Sequence, residues 1–279
     1  MMKKLSALLL VMLLLLGLLT PVTFAALELD VPTEMTNPSI SVIEHHPAFM
    51  RGDSAGLFRP QDWVTRAEVA AILVRTHVPD FVPGELPAGM EHFDTFAADV
   101  DPSDWFYPYV AWAYHAGLMN GSVVTSEHPY RRFRPHDFMR RDEIAVALTR
   151  TQGPPQTGDI SEIFTDWEEG PVWSRPFIYT VYRNGWMVGS NGQFRPMEPI
   201  TRAELATVVN RMLGRVDGWR DFANAALVNS EATHKFPDVH ESAWYYVPIL
   251  VATNAHELRR DANGAVSWIQ FLGTKDSGV

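Results

Sequence analysis

The sequence predicts a mostly α-helical protein built from helix-loop-helix repeats. A block opening Phe-Arg-Pro occurs three times, as FRPQDWVTRAE at 58–68, FRPHDFMRRDE at 133–143 and FRPMEPITRAE at 194–204. After each block the apolar residues keep the i, i+3, i+4 spacing of one helix face: Val69, Ile72, Leu73; Ile144, Ala147, Leu148; Leu205, Val208, Val209. A second segment also recurs, 13 residues long and opening on Trp105, Trp173 or Trp244. Internal repetition at this scale governs every later inference about the fold.

Taken in chain order, residues 1–25 come first. Lys3 and Lys4 precede an uncharged Leu-rich run, and a small-residue patch ends at Ala25. A basic n-region, a short apolar stretch and such a patch describe a secretory signal peptide cleaved after Ala25; an uncleaved anchor is the alternative. An N-terminal segment follows at 26–42. The expected divisions are then a partial first repeat at 43–77, a linker at 78–92, a second repeat at 93–151, a linker at 152–160 and a third repeat at 161–215. Residues 216–258 hold a linker and a C-terminal half-repeat, with a short helix expected over 219–227. Residues 259–279 form a tail with no readable pattern.

The unit that recurs is an Asp in a Phe-containing run, the aromatic helix, a glycine loop, Phe-Arg-Pro, and a second helix. The aspartates are Asp99, Asp166 and Asp238, and the loop glycines are Gly52, Gly121 and Gly189. In the first two aromatic segments a Pro falls near the helix start and a Gly at the end, as helix-terminus preferences require. The first repeat lacks an aromatic helix. The half-repeat opening on Trp244 has no Phe-Arg-Pro block after it. Each holds what the other lacks, so the half-repeat is expected to complete the first repeat. The loop of the second repeat carries an insertion.

Composition bounds the function. The chain has 279 residues, 46% hydrophobic, with a net charge of −10 that becomes −12 once the two signal-peptide lysines are removed. This acidity argues against sequence-independent nucleic-acid binding and against adhesion to anionic lipid. With no cysteine there is neither a lipoprotein anchor nor a disulfide, a state that suits a secreted bacterial protein. No zinc spacing, P-loop, dinucleotide fingerprint or G-x-S-x-G occurs, and no glycosidase carboxylate pair can be assigned. The RGD at 51–53 and the Asn120-Gly121-Ser122 sequon fall on the repeat loops and are coincidental.

Each block carries an Arg at the same place: Arg66, Arg141 and Arg202. Thr65 with Glu68, and Thr201 with Glu204, make capping boxes that explain the Thr and the Glu. They leave the Arg unexplained, because a cation at a helix N-terminus opposes the helix dipole by a few tenths to about 1 kcal/mol. Two readings stay open. One is a salt bridge to a neighbouring carboxylate. The other is an anion held jointly by the helix N-terminus and the guanidinium. In the second repeat Arg140 replaces the capping Thr and Asp142 replaces Ala, so that helix start is expected to be weaker by about 0.5–2 kcal/mol. A late Arg in each helix, Arg75, Arg150 or Arg211, suits the negative end of the dipole.

These blocks resemble the S-layer homology (SLH) family, whose pattern is FxDV, a Trp-containing helix, GYPDGTFRP and ITRAE. The resemblance covers about residues 43–258. It implies three SLH repeats closed into a pseudo-three-fold helical spindle. It implies a non-catalytic module that binds an anionic, pyruvylated secondary cell-wall polysaccharide at a bacterial surface. Carried over by position, the polysaccharide-binding residues are Arg66, Arg141 and Arg202; Trp105, Trp173 and Trp244; Asp99, Asp166 and Asp238; and Gly52, Gly121 and Gly189. From the residues themselves, core packing is the role expected first for an indole at a helix start. No cofactor, metal, nucleic acid or membrane partner is expected after signal cleavage, and no protein partner is named. The repeats leave no room for a cargo domain, which points to a free-standing module or a truncated chain. Two rivals remain: a polysaccharide-acting enzyme built within the repeats, marked by facing carboxylates in a groove, and a protein-interaction scaffold, marked by motif arginines paired internally.

Overall fold

The computed structural model describes residues 41–78, 81, 82, 84–90, 97–122, 131–215, 231–263 and 266–273. All of them fall in the unit Ser41–Val279. The signal peptide, most of the second-repeat insertion and the helix expected at 219–227 lie outside the described residues. Six α-helices and three strands follow in order: β1 (Val42–His46), α1 (Arg66–His77), α2 (Tyr107–His115), α3 (Arg141–Arg150), α4 (Arg175–Arg183), α5 (Arg202–Met212), α6 (Tyr246–Thr253), β2 (Ala255–Arg260) and β3 (Val266–Gly273). The fold is mostly helical, as the repeats require.

Local chemistry sets the helix bounds. Thr65 and Thr201 cap α1 and α5 with both halves of the capping box formed. Proline lies in the first turn of α2 and α4, where its missing N–H costs nothing. Gly117 and Gly185 follow those helices at φ 70° and 71°, the left-handed conformation that ends a helix without a Cβ clash. The nine apolar positions read from the blocks are all buried.

The helices pair across repeats. α1 packs on α2, α3 on α4, and α5 on α6. The helix after each Phe-Arg-Pro block therefore lies against the aromatic helix that follows it in the chain. At their starts the three blocks meet in a closed ring. The Val64 amide donates to the Ile200 carbonyl at 3.2 Å, Ile200 to Met139 at 3.0 Å, and Met139 to Val64 at 2.9 Å. All three side chains are buried.

The half-repeat touches the first repeat at several points. Asp238 accepts from the amides of Phe58 and Arg59 at 2.9 and 2.7 Å. The Phe49 and Met50 amides donate to the Ala252 carbonyl at 2.9 and 3.0 Å. Phe236 packs on Phe58 with ring centroids 5.5 Å apart. The helix itself, α6, packs on α5.

Two expectations need correction. The third aromatic segment is not helical through His256. It ends at Thr253, because Asn254 turns extended at φ −117°, ψ 131°. Its buried side chain is held there by the His234 backbone amide and carbonyl and by the Leu250 carbonyl. The start of the first repeat, the end of the half-repeat and the patternless tail form an antiparallel sheet in the order β1-β2-β3. Val42 pairs with Arg260, and His46 with His256.

Candidate functional site

The three motif arginines answer the question their spacing raised. Each reaches across a repeat boundary. Arg66 Nε donates to the Phe133 carbonyl at 2.8 Å, Arg141 Nε to Phe194 at 2.7 Å, and Arg202 Nε to Phe58 at 2.8 Å. Each guanidinium lies over the ring of that same Phe, at 5.0, 5.4 and 4.7 Å. Each also meets the capping-box glutamate of the next helix: Arg66 with Glu143 at 3.8 Å, Arg141 with Glu204 at 3.1 Å, Arg202 with Glu68 at 3.2 Å. Burial pulls all three guanidinium pKa values down, and these glutamates oppose it. Burial alone would raise the Glu204 carboxyl, but the Thr201 amide, Arg141 and Arg195 outweigh it and hold it below the usual range.

The helix amides are also occupied. The first amides of α1, α3 and α5 donate to the carbonyls of Asp137, Glu198 and Asp62, each at 2.9 Å, and the second to those of Pro135, Pro196 and Pro60, each at 3.0 Å. The third go to side-chain oxygens of Thr65, Asp142 and Thr201. These amides are therefore not free to join the guanidinium in a cradle for an anion, and each motif arginine meets a neighbouring glutamate. The second repeat is not left uncapped either. Asp142 takes the Glu143 amide at 2.8 Å and is held bidentately by Arg140 at 3.0 and 3.1 Å. Glu143 still accepts from the Arg140 amide at 3.1 Å. The two substitutions compensate one another.

The aspartates stand behind the site, as backbone clamps. Asp99 accepts from the amides of Phe133 and Arg134, Asp166 from Phe194 and Arg195, and Asp238 from Phe58 and Arg59, all within 2.9 Å. Arg59, Arg134 and Arg195 are thereby kept at φ 58°, 58° and 59°, a left-handed conformation that costs a non-glycine residue of order 1–3 kcal/mol. The double clamp offsets that strain and turns these side chains outward.

Three grooves result. The Arg66 groove holds Gly121, Arg134, Glu143, Arg150 and Trp173 in about 390 Å³. The Arg141 groove holds Gly189, Arg195, Glu204, Arg211 and Trp244 in about 400 Å³. The Arg202 groove holds Gly52, Arg59, Glu68, Arg75 and Trp105 in about 460 Å³, with Trp63, Arg51, Asp53 and Asp62 added. The sequence-derived arginines, glycines and tryptophans thus meet in threes, one of each per groove, and no aspartate of the Asp99 set lines any of them. Gly189 is needed for its backbone, since φ is 66° and a Cβ would strike the Gln193 carbonyl and the Phe164 ring.

The tryptophans overturn the core-packing expectation. Trp105, Trp173 and Trp244 are 58%, 54% and 63% exposed. In each segment a residue after the Trp is buried instead: Phe106, Ser174 and Tyr246. Sequence reasoning missed Arg59, Arg134, Arg195 and Trp63 as groove residues. The arginines stood in every block, but only the backbone geometry shows that they face outward.

The family described as S-layer homology domain matches residues 48–70, 98–145 and 163–206. The chain is 29% identical over 82% of its length to the cellulosome-anchoring protein of Acetivibrio thermocellus, covering 47% of that protein. It is 29% identical over 80% of its length to cell surface glycoprotein 1 of the same organism, covering 9% of it. It is 30% identical over 60% of its length to the surface-layer 125 kDa protein of Lysinibacillus sphaericus, covering 13% of it. The chain therefore spans about half or less of the length of these curated relatives. The matched segments contain all three Phe-Arg-Pro blocks, so the chain carries three segments of S-layer homology domain type.

Proposed function

We propose that this bacterial cell-surface protein is a non-catalytic module that anchors itself by binding an anionic, pyruvylated secondary cell-wall polysaccharide in its three inter-repeat grooves. The repeats would close into a pseudo-three-fold spindle, consistent with the ring of hydrogen bonds through Val64, Met139 and Ile200. The observation that carries the reading is the recurrence of one exposed indole, one loop glycine and one motif arginine in each groove. An indole more than half exposed at the mouth of a polar groove offers the apolar face a sugar ring stacks on. The grooves are also positive in an acidic chain: three arginines and one glutamate line the Arg66 groove, and the same set lines the Arg141 groove. The motif arginines form the groove floors, and the aspartates hold the walls.

The non-catalytic reading rests on the carboxylates. A glycosidase needs two facing each other. Among the described residues the Arg66 and Arg141 grooves offer one each, and both are engaged by arginines. Of the three described carboxylates in the Arg202 groove, Asp53 is bound by Arg59 and Glu68 by Thr65 and Arg202, which leaves Asp62 without an unengaged carboxylate to act with. The internal pairing of the motif arginines also favours the scaffold alternative, and the Trp exposure sets wall binding ahead of it.

The test is cosedimentation of the secreted protein with purified bacterial walls, before and after the secondary polymer is stripped. Binding should fall on stripping. It should also fall in a triple Trp105→Ala, Trp173→Ala, Trp244→Ala variant whose circular dichroism is unchanged. Equal binding to stripped walls, or by that variant, refutes the reading.

A further inference from the structure

If the grooves hold an anionic glycan, as just proposed, the cation that meets its charge is not the motif arginine. We infer that Arg211 in the Arg141 groove and Arg150 in the Arg66 groove, on the last turns of α5 and α3, each bind a carboxylate borne by the sugar.

Charge pairing inside the grooves leads there. Among the described residues Glu204 is the sole carboxylate in the Arg141 groove, and it already meets Arg141 at 3.1 Å and Arg195 at 2.6 Å. Arg195 is further engaged by Glu198 at 3.2 Å. In the Arg66 groove Glu143 meets Arg66 at 3.8 Å and Arg134 at 3.6 Å, and Arg134 also meets Asp137 at 3.5 Å. Among the described residues, neither Arg150 nor Arg211 has a carboxylate partner. Within that set Arg150 donates only to the Leu118 carbonyl, at 3.5 Å, and Arg211 makes no side-chain hydrogen bond to any described residue. Burial alone pulls both guanidinium pKa values down, with no anion opposing it.

Geometry adds to this. Both side chains line a groove that also carries an exposed indole, Trp244 in the groove of Arg211 and Trp173 in that of Arg150. A ring stacked on the indole brings its substituents into the same space, and a planar guanidinium binds a carboxylate bidentately. The motif arginines have less such freedom: each Nε is bound to a carbonyl, Arg66 also donates to Met139 Sδ and the Asn120 carbonyl, Arg141 to Glu204, and Arg202 to Glu68 and the Arg51 carbonyl. The third groove differs. Its late-helix Arg75 is held by the Tyr109 hydroxyl at 2.9 Å and lies over that ring at 4.8 Å, so two grooves select for the carboxylate and the third does so less.

The full secreted chain would be titrated by calorimetry with a methyl glycoside carrying a 4,6-pyruvate ketal, and with the same glycoside lacking it. The variants are Arg211→Ala, Arg150→Ala, the double variant, and Arg183→Ala as a charge-matched control outside the grooves. Loss of one charge-assisted bidentate contact weakens binding about tenfold to a hundredfold. Each single variant should therefore lose one ketal-binding site, and the double variant both sites and the preference for the ketal. Melting temperatures should stay within about 2 °C of wild type, because neither side chain joins a carboxylate pair. A double variant that keeps wild-type affinity and preference overturns the inference while leaving the wall-binding reading intact. Wild-type protein that sediments with unstripped walls but takes both glycosides equally does the same. Wild-type protein that binds neither glycoside nor walls overturns both.

Discussion

Arg141→Ala should destabilise the fold, whatever it does to binding. The side chain is buried, with its Nε on the Phe194 carbonyl at 2.7 Å and a terminal nitrogen on Glu204 at 3.1 Å. Truncation leaves that carbonyl without this donor and opens space over the Phe194 ring. Glu204 keeps Arg195 at 2.6 Å and the Thr201 amide at 3.0 Å, so its charge is not orphaned. Removing one partner of a fully buried ion pair costs about 3–5 kcal/mol, and the surviving partners put the expected loss near the low end, about 3 kcal/mol. In a unit of this size each kcal/mol shifts the midpoint by about 2–4 °C, so the melting temperature should fall by about 6–12 °C. Thermal denaturation followed by circular dichroism measures this directly, with Arg183→Ala as the exposed control. A variant that melts within about 2 °C of wild type yet loses wall binding would show that Arg141 serves the ligand and not the ring.

Asp238→Ala should cost about 2 kcal/mol in urea denaturation, because the amides of Phe58 and Arg59 lose their acceptor while Arg59 stays left-handed; equal stability would sink the clamp reading. Deleting residues 236–279 should expose the apolar face of α5, on which α6 packs, and remove the Asp238 clamp from the first repeat; an unchanged melting temperature would contradict the closure. Burial holds His256 at a pKa of about 3 against an ordinary 6.5, Asn254 opposing and Arg215 and His46 adding to the shift. The unfolded chain therefore takes up a proton below pH 6.5 that the folded one refuses, and stability present above pH 6.5 should fall by about 1.4 kcal/mol per pH unit beneath it, a slope that His256→Leu should flatten in urea midpoints between pH 7 and 5. The mature N-terminus should be Ala26, and an intact Met1 in the mass spectrum of the secreted protein would refute it.

What could be read from the chain was whatever repeats locally. The helix faces, the two threonine caps, the proline starts and the glycine stops depend on residues within one or two turns, and each stood where the pattern placed it. The members of the groove trios were named one by one through the resemblance, but which Arg, Gly and Trp share a groove was not readable, because Arg66, Gly121 and Trp173 come from different repeats. Roles that depend on distant partners were not readable either. Nothing near Asp238 shows that it clamps amides 179 and 180 residues earlier. Nothing near Val42 shows that it pairs with Arg260, and the polar residues of β1 hide its alternation. The compensation between Arg140 and Asp142 required seeing that a carboxylate at the second helical position can take the amide the missing Thr would have taken.

The ring explains why an internally paired arginine and a binding groove share one motif. Each motif arginine fastens one helix start to the next Phe-Arg-Pro turn, and that same junction is the floor of a groove. In the Arg141 groove, Arg141 comes from the second block, Gly189, Arg195 and Arg211 from the third repeat, and Trp244 from the half-repeat. No single repeat contains a groove, so on the proposed reading the sites exist only when the repeats have closed on one another. A glycan held there binds the closed form and not the open chain. It must therefore stabilise closure by the mass-action factor set by its concentration over its dissociation constant. A variant that loosens a junction, such as Arg141→Ala, would then lose affinity even though its side chain never touches the sugar. Saturating ligand should restore part of its melting temperature, whereas it should raise that of the double variant of Arg150 and Arg211, whose fold is intact and which has lost two sites, by much less than it raises wild type.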